Sequence, residues 1–325
     1  MRIECTLTHS ATPSPDHASA RRRKTLCILP LKKLFWVLFS LVIFSHTQAQ
    51  DLTGLWQGYI TATDASITSG YLINIEKQKD DIFSGRAYIF REGIFDGHLD
   101  FIGTSVDSVV KLTELRVLRY RTPPSWFVCV KFCSLDFMHR KSVDHLIGQW
   151  HGSIFSGNPC TPGEVILRRY NPQNPEGIQP IPDTVLQLAK KNAGKPMTFM
   201  DTELDEPLIV PVRNRVVKME LRDYMKEDND TVSVYYNRNP FIKRVRIAKK
   251  KKVYTVRLDP FSELNEFVIY AENLGDIPPN TSVITIIDGD RKHSVRIESS
   301  LQKSAVIYLR YRPDVPASLA GRTEP

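Results

Sequence analysis

Apolar and polar residues alternate with a period of two from Leu52 to Arg169, and Gly, Asp, Asn and Pro interrupt the alternation at short intervals. Such a pattern predicts half-buried β-strands joined by turns. The clearest pair is 70–78 and 82–91, two alternating arms around the polar turn Lys79-Asp80-Asp81, which predicts a hairpin. Eight strands are predicted in this half: 54–61, 70–78, 82–91, 94–103, 106–119, 126–138, 145–155 and 163–169.

Eight closely spaced antiparallel strands lose their unpaired edges most simply by closing into an up-and-down barrel, so residues 51–170 are predicted to form an eight-stranded antiparallel barrel. A sandwich is the alternative. Gly54-Leu55-Trp56 and Gly148-Gln149-Trp150 support the barrel, because a glycine lets the chain bend while the indole two residues later covers one end. The first of these resembles the G-x-W motif of lipocalin-type barrels, and the resemblance implies a lipocalin-like barrel.

The second half repeats the strand pattern after a proline-rich stretch. Residues 171–195 are predicted to be a linker with a short helix at 184–193, capped by Asp183 or Thr184 and ended by Gly194. Residues 196–312 are predicted to form an all-β sandwich of seven or eight strands, and 313–325 a disordered tail. The strands of the sandwich are expected at 214–222, 231–237, 241–247, 252–258, 265–273, 281–288, 291–298 and 303–312.

The first 50 residues have the features of an export signal. A basic stretch, Arg21–Lys24 and Lys32–Lys33, precedes the apolar run Leu34–Phe44, which is short for a membrane-spanning helix. Cleavage is expected between Ala49 and Asp51, and an uncleaved anchor is the alternative. Either way the remainder lies outside the cytoplasm, in the periplasm, on the cell surface or secreted.

Most of the net positive charge lies in the first 50 residues, so nucleic acid is not a predicted partner. The formal charge of the whole chain is +8, but residues 1–50 hold seven basic and two acidic side chains. The exported part therefore carries a net charge of only +3, too weak for a nucleic-acid-binding surface.

Three cysteines remain in the exported part: Cys129, Cys133 and Cys160. Export favours one disulfide and one leftover thiol. The predicted pair is Cys129–Cys160, with Cys160 placed in the turn Gly157–Gly163. Pairing through Cys133 and three free thiols are the alternatives.

Two stretches of the second half carry a family resemblance. Asp228-Asn-Asp-Thr-Val-Ser-Val-Tyr-Tyr-Asn237 resembles the "DGDTVSVYLNG" signature of β-sandwich modules in secreted proteins of Bacteroidota. Ile269-Tyr-Ala-Glu-Asn-Leu-Gly-Asp-Ile-Pro-Pro-Asn-Thr281 resembles the "YAENLGxIPPNT" that accompanies it. These proteins are largely uncharacterised, so the resemblance implies a compartment and an architecture. This chain departs from the signature at Asn229, where glycine is usual, and the departure weakens an ion-binding role for that turn.

No serine-hydrolase elbow, zinc-protease helix, phosphate loop or dinucleotide fingerprint is present in the sequence, so the protein is predicted not to be an enzyme. Glu114 shares a face with three apolar residues, Val110, Leu112 and Leu118, and would be a buried acid if that face points inward. Arg86 and Arg116 are its predicted partners. Glu114, Trp56 and Trp150 are the candidate ligand-binding residues of a barrel pocket.

The turn Asp223–Asp230 is the candidate metal site, because Asp223, Asp228 and Asp230, together with Glu227, could offer oxygens to Ca²⁺; no other cofactor is predicted. The absence of EF-hand spacing favours a solvated acidic turn instead. His139, His145 and His151 recur every six residues, which is not a zinc spacing and favours surface histidines. Lys249–Lys252 could dock on an anionic glycan or lipid, although a solvated turn is the commoner meaning.

Two function classes follow. The first is a non-catalytic binding or adhesion module of the cell envelope, with an envelope protein or glycan as partner. The second is a lipocalin-like carrier of a small apolar ligand in the barrel. A filled barrel would argue against the carrier, and a continuous pocket holding Glu114 would favour it. Membrane association is expected only through an uncleaved N-terminal segment.

Overall fold

The computed structural model describes residues 50–63, 68–124, 126–154, 157–173, 180–224 and 227–313. The predicted signal segment and nearly all of the predicted tail lie outside the described residues. Among the described residues, no helix has the length and apolar character needed to cross a membrane.

The first half closes into the predicted eight-stranded antiparallel barrel. Each strand pairs with the next in sequence, and β1 pairs with β8 from Trp56↔Arg169 to Ile60↔Val165, so the barrel has no free edge. Its strands are β1 (Gly54–Thr61), β2 (Thr68–Lys79), β3 (Ile82–Arg91), β4 (Phe95–Val106), β5 (Val109–Arg121), β6 (Val130–Arg140), β7 (Val143–Ser153) and β8 (Gly163–Arg169).

Alternation along the strands fills the barrel with large side chains, because every second residue points inward. Tyr71, Phe101 and Leu167 are among the residues of this packed interior. The predicted G-x-W glycines meet two different needs. Gly54 has a positive φ of 104°, whereas a Cβ at Gly148 would lie 2.0 Å from the Ser134 carbonyl oxygen of the neighbouring strand.

A single helix, α1 (Asp183–Asn192), lies in the described part of the connection between barrel and sandwich, where a helix is predicted. It begins without a side-chain cap, and Asp183 is its first residue, so the predicted capping role of Asp183 or Thr184 is wrong. Val185 and Ala189 pack on Tyr88 and Phe90. The helix therefore covers part of the outer face of the barrel.

The second half forms two packed sheets. The first has β9 (Thr198–Phe199), β10 (Thr202–Leu204), β11 (Leu208–Val212), β13 (Thr231–Tyr236), β14 (Asn239–Arg246), β16 (Leu264–Ala271) and β19 (Lys303–Tyr311). The second, in the order β15-β12-β17-β18, has β12 (Val216–Asp223), β15 (Lys252–Arg257), β17 (Asn280–Asp288) and β18 (Arg291–Ser299). All eight predicted strands are present. The sequence pattern missed β9, β10 and β11, which are two to five residues long.

Barrel and sandwich belong to one compact unit, an association that the sequence analysis did not predict. Ile102 and Leu115 on the outside of the barrel pack on Leu264, Val306 and Tyr308 of the sandwich. The guanidinium of Arg310 on β19 donates to the carboxylate of Asp81 in the β2–β3 turn. Apolar packing and this half-buried ion pair together fix the two halves against each other.

Candidate ligand-binding site

An open cavity of about 510 Å³ lies at one end of the barrel, where β1, β3, β5 and β7 end. Its walls are mostly aliphatic and aromatic, with Ile89, Phe95, Trp126, Val128, Trp150 and Ile154 among the lining residues. The opposite end of the barrel is filled, because Trp56 is fully buried there and packs edge-on against Phe137. The barrel is thus a packed core with a pocket at one end.

The pocket exists because β5 and β6 separate. Their pairing runs from Val109↔Asp136 to Thr113↔Phe132 and then stops, although β5 continues to Arg121. The segment Trp126–Cys129 was predicted to begin the sixth strand, but β6 begins at Val130. The prediction is wrong at this end of the strand, where the segment leaves the sheet and forms a wall of the pocket.

A disulfide holds this wall in place. Cys129 is bonded to Cys160, which confirms the predicted pairing, and both residues line the pocket. The Cys160 backbone N–H also donates to the Gly152 carbonyl at 2.9 Å, which anchors the turn before β8. Cys133 is the remaining thiol; it is buried in the barrel core, and burial raises its pKa well above the ordinary range.

A buried lysine–glutamate pair forms the floor. Lys131 lines the pocket but is only 1% exposed, and its Nζ donates to Glu114 Oε2 at 2.9 Å and to the Cys129 carbonyl at 2.9 Å. Glu114 also accepts the Lys131 backbone N–H at 2.8 Å and the Tyr71 hydroxyl at 2.8 Å. Burial raises the pKa of Tyr71 well above its usual value, and the negative charge of Glu114 adds to the rise. The pair is therefore neutral as a unit and satisfied by hydrogen bonds.

Arg86 and Arg116, the predicted partners of Glu114, lie elsewhere. Arg86 points outward and pairs with Glu76 at 2.6 Å, and Arg116 lies over the Phe199 ring. That part of the prediction is wrong because both arginines project from the outer face of the barrel. The inward position of Lys131 could have been predicted from the sequence, because Lys131 lies on the same face of β6 as Cys133 and Leu135.

The two predicted tryptophans are at opposite ends of the barrel. Trp150 lines the pocket, and its Nε1 donates to the Thr61 carbonyl at 2.8 Å. Trp56 donates to the Leu52 carbonyl at 2.8 Å and lies under the guanidinium of Arg169. Trp150 and Lys131 therefore line the pocket, Glu114 lies beneath Lys131 without lining the pocket itself, and Trp56 is at the other end of the barrel.

The mouth of the pocket is aromatic. Phe127 is 70% exposed, whereas Trp126 packs against Phe95 with ring centroids 5.5 Å apart. Sequence analysis missed these residues because they were assigned to a regular strand. A run of three large apolar residues, Trp126-Phe127-Val128, follows Pro123-Pro124 after a single serine and breaks the alternation, and this is the signal that could have identified them.

The acids of this turn of the sandwich do not share one environment: Glu227 is exposed, as a solvated turn predicts, but the three aspartates are not solvated. Asp223, Asp228 and Asp230 are all at least nine-tenths buried. Burial is the largest cause of a rise in the pKa of Asp230 to about 6; the charges of Asp228 and Asp223 contribute to this rise, and the hydrogen bond from the Thr281 N–H opposes it. In the described part of the chain, no three His, Cys, Asp or Glu side chains are grouped closely enough to hold a metal ion between them.

The three histidines are dispersed. His139 contacts Asp144 at 2.8 Å, His145 contacts the Val143 carbonyl at 3.0 Å, and the ring of His151 stacks on Phe132. Among the basic residues at 249–252, Lys251 pairs with Glu220 at 2.9 Å.

No protein-family model, curated protein or solved structure matches this chain. The geometry of the pocket is the observation on which a proposed function rests.

Proposed function

We propose that this protein is a non-catalytic, exported binding protein that carries a small apolar ligand in the open end of its barrel. The observation that carries the proposal is the cavity of about 510 Å³ above a barrel core that is otherwise filled. Ligand sites are typically clefts of about 300–1,000 Å³ with mostly hydrophobic walls. Both the size and the lining fit that class.

The polar groups narrow the ligand further. The three protons of the Lys131 ammonium are directed at Glu114 and at the Cys129 carbonyl, and the Trp150 indole N–H is directed at Thr61. A charged head group would have to break the buried ion pair, which is costly. The expected ligand is therefore uncharged, with aliphatic or aromatic character.

The basic segment followed by the apolar run Leu34–Phe44 supports export, and so does the Cys129–Cys160 disulfide, because such bonds persist outside the reducing cytoplasm. N-terminal sequencing of the mature protein tests this part. A cytoplasmic product that keeps Met1 would contradict it.

Ligand binding is tested with the neutral probe N-phenyl-1-naphthylamine, whose fluorescence rises on transfer to an apolar site. We expect saturable one-to-one binding. Val128→Trp, which fills the cavity, should weaken the affinity by about tenfold or more. The matched control Ile94→Trp adds the same side chain at an exposed position of the same barrel end, outside the pocket lining, and should change the affinity by less than about twofold.

Non-saturable binding, or equal affinity of Val128→Trp and the parent protein, would overturn the carrier proposal, provided that both melt at the same temperature. Mass spectrometry of an organic extract of the protein purified from its native cell identifies the ligand. An adhesion role for the sandwich, with an envelope protein or glycan as partner, stays a prediction from the sequence.

A further inference from the structure

One end of the sandwich interior changes from apolar to oxygen-bearing. Along β17, Ile284 and Ile286 lie in the apolar core, and the same face continues at the start of the strand with Ser282 and Asn280. Ser282 is paired across the sheet with Asp223, the last residue of β12. The apolar core therefore ends here in a layer of side-chain oxygens.

The opposite sheet adds two carboxylates to this layer. Asp228 and Asp230 lie just before β13, and the Thr281 N–H at the start of β17 donates to Asp230 Oδ2 at 3.1 Å. The Asn280 amide donates across the gap to the Thr231 carbonyl at 3.4 Å, next to Asp230 in the chain. These two hydrogen bonds join the two sheets where the side-chain oxygens of both sheets come together.

Several of these oxygens are buried without a hydrogen bond from any described residue. They are Asp228 Oδ1, Asp230 Oδ1, Asn280 Oδ1 and Ser282 Oγ. Asp230, Asn280 and Ser282 are each only 1% exposed. A buried polar atom without a partner is costly, and a charged one more so, which makes such a group at one corner of a fold a sign of a bound partner.

Gly275 has no side chain that would collide with the oxygens of Asp228 and Asp230. Its φ is +57°, and a Cβ there would lie 2.6 Å from Asp230 Oδ1 and 2.5 Å from the Asp228 carbonyl oxygen. Asn229 occupies the position where the resembling signature has glycine, and it has a φ of 70°, a conformation that asparagine tolerates better than most residues. The turn keeps the glycine-like backbone despite the substitution.

We propose that this oxygen layer is a Ca²⁺ site whose protein ligands are the carboxylates of Asp228 and Asp230, the amide oxygen of Asn280 and the hydroxyl of Ser282. Ca²⁺ takes six to eight oxygen ligands and accepts carboxylates, amide carbonyls and waters together. The set contains no nitrogen or sulfur ligand of the kind that zinc prefers. The site is separate from the barrel pocket and does not depend on the carrier function.

The test is calorimetric titration of CaCl₂ into the purified protein after treatment with EDTA. We expect one saturable site, and a melting temperature about 5 °C higher at a hundred times the dissociation constant. MgCl₂ should bind far more weakly, because Mg²⁺ demands a tight octahedron and dehydrates reluctantly.

Variants separate a ligand from a structural residue. Asp230→Asn should lower the Ca²⁺ affinity by about tenfold or more, and Ser282→Ala by several-fold, although Ser282→Ala only removes a hydroxyl that has no partner in the described chain. Asp290→Asn, in the exposed turn at the other end of the β17–β18 hairpin, is the matched control and should bind as the parent does.

Absence of saturable binding up to about 10 mM Ca²⁺, ten times the weakest common range, would overturn the proposal and leave buried water as the partner of these oxygens. Unchanged affinity in both Asp230→Asn and Ser282→Ala would overturn it as well, because the ion would then bind elsewhere.

Discussion

The barrel and the sandwich both bury carboxylates at the edge of an apolar core, and they neutralise the charge in different ways. In the barrel, Glu114 has its counter-ion and its hydrogen-bond donors within the chain, from Lys131 and Tyr71. In the sandwich, Asp228 and Asp230 each keep a buried oxygen with no partner among the described residues. The charge of Glu114 is balanced within the chain and supports the fold, whereas the open oxygens of Asp228 and Asp230 are the basis of the proposed Ca²⁺ site.

The largest expected effect is the loss of the barrel pair. Lys131→Met leaves Glu114 buried without a counter-ion, so the free energy of unfolding should fall by about 3–5 kcal/mol. Urea denaturation measures it. The double variant that also carries Glu114→Gln should recover most of the lost stability, because no charge is then buried without a counter-ion. If the double variant is as unstable as the single one, the pair is not what Lys131 contributes.

Removal of the disulfide comes next. Replacing Cys129 and Cys160 by serine should lower the free energy of unfolding by about 3–4 kcal/mol, since the bond closes a loop of this length in the unfolded chain. The pocket wall also loses its anchor, so binding of the neutral probe should weaken. Cys133→Ala is the control, because it removes the thiol outside the bond without burying a hydroxyl in the apolar core. Undiminished probe affinity in the double serine variant would show that the wall holds without the bond.

The junction between barrel and sandwich is a third case. Asp100 is buried beside Arg238 and Arg86, with Glu266 and Glu76 nearby, and burial raises its pKa to about 6. The unfolded state, with a pKa of about 3.9, releases this proton first. Stability should therefore fall by roughly 2–3 kcal/mol as the pH rises from about 4 to about 6 and then stay level.

The measurement for this group is the free energy of unfolding at a series of pH values, in the parent and in Asp100→Asn. Subtracting the two curves isolates the one group. Parallel curves would show that the carboxyl of Asp100 titrates in the folded protein as it does in the unfolded one.

The smallest effect is expected in the sandwich without cation. In EDTA, Asp230→Asn should raise the free energy of unfolding by about 1 kcal/mol, because it removes one of two neighbouring buried charges. Saturating Ca²⁺ should reverse the order of the two proteins. A lower stability of the variant in EDTA would mean that the carboxylate already has a favourable partner within the chain.

The sequence left the disulfide pairing open, but most of the strands, the barrel closure and the helix position could be predicted from it. These follow from local information, because strand alternation and turn residues act over a few positions, and consecutive antiparallel strands need no long-range choice. The short strands β10 and β11 were not predicted from the sequence, because they pair in parallel with β19, which is about a hundred residues away in the chain.

Tertiary structure alone decided which polar groups meet. Lys131 reaches Glu114 because of the register between two strands, and the pocket opens because those strands separate after Thr113↔Phe132. Asp230 reads as a surface acid in the sequence, yet the start of β17 closes over it. Burial and pairing depend on the packing of elements distant in the chain, so local pattern cannot fix them.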